Sequence, residues 1–191
     1  EGLILLFGLM IVGFTLSKAF PMVLTRFKNI SHTSFIFNNT NGENHFDSGY
    51  NKNEWSSTST RLALWQCGKE VWLEHPVLGT GLGDIRNALK EKYTEKQFWF
   101  ALDSNRNLHS QYLDVLVSMG IVGLVLFLVI FIVYPVKIFL TQKQTLALSV
   151  FICFALCLLT ENMLDRYQGE ELVALILPLA VKVFDRREET P

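Results

Sequence analysis

"NRNLHSQYLDVLVSMGIVGLVLFLVIFIVYPV", residues 105–136, opens on Asn105, Arg106, Asn107 and His109 and then runs without pause into apolar residues. A bilayer-crossing helix needs roughly twenty such residues, and Val115 to Val136 supplies them. Three further apolar stretches accompany it: Gly2 to Ser17, Thr145 to Thr160, which carries no charge, and Leu172 to Phe184. The last is short and holds Pro178 and Lys182, and Lys182 could snorkel to an interface. With their flanks, these stretches suggest spans at 1–24, 113–136, 145–164 and 170–185, a polar loop at 25–112 and a tail at 186–191.

The totals agree with this layout. Half of the 191 residues are hydrophobic and the net charge is −1. That is too apolar for an ordinary soluble domain and too polar for a chain lying wholly in lipid. Near-neutral charge gives no reason to expect nucleic acid as a partner; the bilayer is the expected one. The chain begins at Glu1 within an apolar run that lacks a basic start and a small-residue cleavage site. It therefore reads as a piece of a longer protein, with no signal peptide. The expected fold class is all-α, a polytopic transmembrane helical protein with a large, mostly helical loop. Lys137 and Lys143 in one short connection, and Lys182, Arg186 and Arg187 in the tail, mark the cytoplasmic side. The large loop is then expected outside, which in a bacterium with two membranes means an inner-membrane protein with its loop in the periplasm.

Within the loop, Asn38 to Thr60 is rich in Asn, Ser, Thr and Gly and reads as exposed. The following "STRLALWQCGKEVWLEHP" predicts an amphipathic helix capped by Ser59 or Thr60, with Leu62, Trp65 and Trp72 near one face and Pro76 ending it. "VLGTGLGD" predicts a turn, with Asp84 capping a helix over Ile85 to Tyr93. Cys153 and Cys157 share a helix face and are expected to be small buried side chains.

Several side chains could carry chemistry. His109 is expected in the first turns of the span, behind an Asn105 or Asn107 cap, where neutral imidazole could act as a base. The alternative is an interfacial His bonded to a loop carbonyl. Arg61 and Arg106 could hold phosphate oxygens in a bidentate fork, or pair with headgroups or loop carboxylates. Arg86 is a weaker candidate of the same kind. Gly79 and Gly81, with Gly83, could let backbone N–H groups approach an anion, or could simply make a tight turn. Glu161 closes the third apolar stretch on the same side as His109, and could orient His109 or hold an Arg. The loop aromatics, Trp55, Trp65, Trp72, Trp99, Phe98 and Phe100, could stack on sugars, but read first as core or interfacial anchors.

Taken in order, Arg61 with Trp65, Pro76 with Gly79, Gly81 and Gly83, His109 with Ser110 and Leu113, and Gly120 with Gly123 form a set. This set resembles the signature of the O-antigen ligase and polymerase superfamily, over roughly Thr58 to Phe131. Ser110 stands where Asn is commoner, and Glu161 matches the family's acidic position only loosely. The resemblance implies a glycosyltransferase that moves a glycan from undecaprenyl diphosphate to an acceptor hydroxyl, with neither metal nor other cofactor. The acceptor would be a lipid A-core sugar for a ligase, or a growing polysaccharide for a polymerase. It implies His109 and Arg61 as catalytic groups, with Arg106, Arg86, Gly79, Gly81 and Glu161 toward substrate. A non-enzymatic partner subunit or sensor with a periplasmic binding loop is the rival reading. The enzyme reading requires Arg61, Arg106 and His109 to converge.

Overall fold

The computed structural model describes residues 35–39, 55–171 and 173–174. The first apolar stretch, residues 40–54 of the polar loop, and all of the fourth stretch but residues 173 and 174 lie outside the described residues. Every regular element among the described residues is a helix.

Helix α1, Ser57–Glu74, starts one turn earlier than its composition suggests. Ser56 is the cap, and Ser59 at the third helical position returns the bond: the Ser59 N–H donates to Ser56 Oγ at 3.1 Å, and the Ser56 N–H donates to Ser59 Oγ at 2.8 Å. The reciprocal pair satisfies two otherwise orphaned donors, which is why Ser56 rather than Ser59 or Thr60 takes the role. The buried face runs through Thr60, Ala63, Leu64, Cys67, Gly68 and Val71, with Leu62, Trp65 and Trp72 half-buried on its flanks. Helices α2, Ile85–Glu95, and α3, Trp99–Asp103, close over that face with Ile85, Leu89, Tyr93, Phe98 and Ala101. Trp55 packs against Phe98 at 4.7 Å between ring centroids and Tyr93 meets the same ring edge-on at 5.6 Å. Of the loop aromatics, Trp55 and Phe98 are core and Trp72 and Phe100 pack against it, while Trp99 is exposed.

Burial pushes the Cys67 thiol up to about 12, and the neighbouring Glu70 charge adds to the shift. The thiolate is the reactive form, so a water-soluble maleimide at neutral pH should leave Cys67 unmodified until the fold is lost. Labelling of Cys67 in the native protein would contradict its place in the core. Cys153 and Cys157, expected to be buried, are exposed on the outside of α6.

Helix α4, Gln111–Phe127, continues through a π-helical stretch, Leu128–Val133, into α5, Tyr134–Thr141. Pro135 has no N–H to offer the carbonyl one turn back. The ladder widens there, and the Tyr134 N–H donates to Val129 O. A sharper break lies at Gly120, whose φ of 67° and ψ of −168° are not helical. Straight helix would separate Tyr112 and Phe127 by about 22 Å, yet their ring centroids are 5.9 Å apart. The chain bends back at Gly120, and the straight part begins at Ile121.

The break is bonded by the glycine turn. The Ile121 and Val122 N–H groups donate to Pro76 O and Val77 O, while Val117 O and Ser118 O accept from the Thr80 and Gly81 N–H groups. Two sequence motifs forty residues apart are thus one backbone joint. Gly79 and Gly120 are required there: a Cβ on Gly79 would sit 2.4 Å from Ser118 C, and one on Gly120 would sit 2.2 Å from Val77 O.

The segment Gln111–Thr141 is the one helix among the described residues long and apolar enough to cross a membrane. Helix α6, Thr145–Cys157, is apolar but shorter. It returns antiparallel, packing Phe139 against Phe151 near the turn and bonding Tyr112 to Ala155 O at the far end. That far end also carries a 3-10 turn, Met163–Asp165, and a short helix α7, Tyr167–Glu171.

Candidate active site

The polar residues at the lip of α4 are not helical. Ser110, not Asn105 or Asn107, caps α4, accepting the Leu113 N–H. His109 stands just outside the helix with φ of 47°. A non-glycine residue in the left-handed region costs on the order of 1 kcal/mol or more and persists only where its surroundings fix it. Here both neighbours are fixed. Trp65 Nε1 donates to Leu108 O at 2.9 Å, and the Ser110 N–H donates to Asn162 Oδ1 at 2.8 Å. Asn162 is fully buried. The Gln111 N–H donates to Leu158 O and Gln111 Oε1 accepts the Leu164 N–H, so the end of α6 and the turn beyond it are sewn to the start of α4.

This stitching brings Glu161, in the turn beyond the end of α6, against His109. His109 Nδ1 lies 3.3 Å from Glu161 Oε2. Arg61, one helical turn before Trp65 on α1, donates to Glu161 Oε1 at 2.9 Å. Arg61 and Trp65 are neighbours on one helix face. That face therefore holds the loop before His109 and the carboxylate facing His109. Arg166 completes the cluster, with Nη2 at 3.0 Å from Glu161 Oε2.

Burial works against ionising Glu161, but hydrogen bonds from His109 and Arg61, together with the charge of Arg166, outweigh it and hold the carboxyl below its ordinary value. A lowered carboxylate stays ionised at neutral pH, and its bridges are lost only as pH falls through the depressed value. An ionised carboxylate only accepts, so His109 Nδ1 must be the donor. Neutral His109 then carries its lone pair on Nε2, which has no protein partner among the described residues. A base oriented by a third group in this way is the arrangement that activates hydroxyl nucleophiles.

The structure thus joins Arg61, His109 and Glu161, so two of the three groups required to converge do so and Arg106 does not. Arg106 is engaged elsewhere, its guanidinium 5.2 Å from the Phe100 ring centroid and its Nε donating to Ser104. Arg86 is exposed in the first turn of α2. The N–H groups of Gly79 and Gly81 are taken by His75 O and Ser118 O, which gives these glycines a packing use. Arg166, Asn162 and Gln111 were not singled out by the motifs. Their signal was faint: a run of polar and charged side chains, Glu161 to Arg166, directly after an uncharged apolar stretch.

Neither a curated protein nor a solved structure matches the chain. A family model described as "O-Antigen ligase" matches residues 2–128, about two thirds of the chain and inclusive of Arg61, the glycine turn, His109 and the Gly120 break. Glu161 and Arg166 lie beyond that match, although they close the same cluster. On the extent of the match, the chain belongs to the O-antigen ligase family.

Proposed function

We propose that this chain is the outward-facing catalytic part of a multi-pass enzyme of the bacterial inner membrane, transferring a glycan from undecaprenyl diphosphate to an acceptor hydroxyl. The observation that carries the reading is the convergence of Arg61 and His109 on opposite oxygens of Glu161, across 100 and 52 residues of chain respectively. Family membership supports glycan transfer from a lipid carrier. The position of the cluster supports the location, because it lies at one end of the α4–α6 hairpin while Lys137 and Lys143 flank the turn at the other.

In this reading His109 Nε2 takes the proton of the acceptor hydroxyl as the new C–O bond forms at the sugar's anomeric carbon. The bond from that carbon to the phosphate oxygen breaks, and undecaprenyl diphosphate leaves. Arg61 offsets the charge gathering on the departing diphosphate, an effect of several kcal/mol in a partly dry cleft. Glu161 fixes the imidazole tautomer and the guanidinium together. The acceptor proposed is a lipid A-core sugar, as for a ligase. Gly79 and Gly81 contribute by seating the 76–81 turn in the helix break.

The test is cell-surface polysaccharide in a strain whose own gene is deleted and which expresses the full-length protein. Arg61→Ala should abolish glycan attachment at normal protein level. Arg61→Lys, which keeps charge but loses the fork, should restore only part of it. Unchanged attachment with Arg61→Ala would overturn the assignment.

A further inference from the structure

We infer that Arg166 is a second substrate-gripping cation of this site, placed to take a phosphoryl oxygen alongside Arg61. The inference rests on the diphosphate-donor reading above. Three side chains share one carboxylate: Arg61 donates to Oε1 of Glu161, while His109 and, as an ion pair, Arg166 approach Oε2. Two guanidinium groups anchored on adjacent oxygens of a single carboxylate stand within one diphosphate's reach of each other. The cluster sets two guanidinium groups against one carboxylate, which suits an anionic ligand rather than a closed structural bridge.

Exposure distinguishes the members. The side chain of Arg166 is 47 % exposed, against 32 % for Arg61 and 15 % for His109. Arg166 is therefore the outermost cation of the cluster. Its Nη2 makes an ion pair with Glu161 Oε2 at 3.0 Å, and its guanidinium makes no side-chain hydrogen bond among the described residues. A guanidinium has more donors than one carboxylate oxygen can use, in a fork that fits phosphate. Its backbone is held in place: the Arg166 N–H donates to Met163 O, in a turn tied to α4 through Leu164 N–H and Gln111 Oε1. Arg106, the candidate suggested by motif order, is instead stacked on Phe100 and bonded to Ser104. A diphosphate presents charge on two phosphorus centres, and Arg61 by itself meets one.

The experiment measures binding of inorganic pyrophosphate to the purified full-length protein in detergent by isothermal titration calorimetry, beside transfer kinetics with the lipid-linked donor. Losing one charge-assisted bond should weaken pyrophosphate by about tenfold or more. That loss is expected for Arg166→Ala, with partial recovery in Arg166→Lys and no change in an exposed control, Lys90→Ala. The donor KM should rise similarly, while the pH profile of kcat stays that of the wild type. Wild-type pyrophosphate affinity in Arg166→Ala, in a protein of unchanged melting temperature, would overturn the inference. So would a shifted kcat pH profile without loss of affinity, since Arg166 would then act only by adjusting the Glu161–His109 pair. If Arg61→Ala also left pyrophosphate binding intact, or the wild type bound none at millimolar concentration, the diphosphate reading itself would fail.

Discussion

Replacing His109 with alanine is expected to lower glycan transfer by about 10²- to 10⁴-fold, the usual worth of a positioned general base. Protein level and melting temperature should stay near wild type. The imidazole is only partly buried, and what holds its loop is the bonding of Leu108 and Ser110 to Trp65 and Asn162, which the substitution leaves in place. Glu161→Gln should cost less than His109→Ala in kcat, because an amide oxygen can still accept from Nδ1. It should weaken Arg61 placement, because the charge is gone. The decisive comparison is transfer by the purified full-length protein at saturating donor. A His109→Ala variant within threefold of wild type would remove the imidazole from the mechanism and leave it as a loop anchor.

Gly120→Ala is the second large effect, and it acts on folding. The backbone at Gly120 lies in a region essentially reserved for glycine, with φ of 67° and ψ of −168°, and forcing another residue there costs about 1–3 kcal/mol. The added Cβ also meets Val77 O at 2.2 Å and Val77 C at 2.3 Å. Those atoms cannot retreat without stretching the bonds from Ile121 and Val122 N–H to Pro76 O and Val77 O, each worth about 1 kcal/mol. A total of roughly 3 kcal/mol or more follows, a large part of the 5–15 kcal/mol that holds a typical domain. Thermal denaturation of the detergent-solubilised protein should show a fall of many degrees or loss of folded material. Gly83→Ala is the internal contrast. It lies in the same glycine run, yet its Cβ would meet nothing within 4 Å, and its melting temperature should not move. Equal effects at the two positions would contradict the joint between turn and helix.

These two expectations show how unevenly the molecule was legible in its sequence. The helical class was readable because apolar periodicity and length need no partner to be seen. The α1 helix and the α2 start at Ile85 followed from local signals, although Asp84 takes the N-cap position of α2 without the side-chain cap bond expected of it. The Gly120 break was not readable: "SMGIVG" inside an apolar run looks like continuous helix, and the bend exists only because "PVLGTG" supplies the missing hydrogen bonds from forty residues away. The cap at Ser110 was missed for a similar reason. Asn105 and Asn107 are good caps by type, but Trp65 and Asn162, neither of them local, decide where the chain turns. Within the site, Arg61 and His109 were found by motif order and Glu161 by its cost at an apolar boundary. Arg166 needed the folded turn after α6, since nothing in "ENMLDR" distinguishes one side chain from its charged neighbours. Arg106 illustrates the converse. Proximity to His109 in sequence suggested a shared task, but the turn at Asn105, with φ of 48°, sends the two side chains to different partners.

The most direct measurement is reconstitution of the full-length protein in liposomes with an undecaprenyl-diphosphate-linked glycan and a lipid A-core acceptor, following carrier release and glycan attachment together. The proposed mechanism requires equimolar release and attachment by the wild type, and loss of both in Arg61→Ala and in His109→Ala. Transfer that continues at wild-type rate in both variants would contradict it.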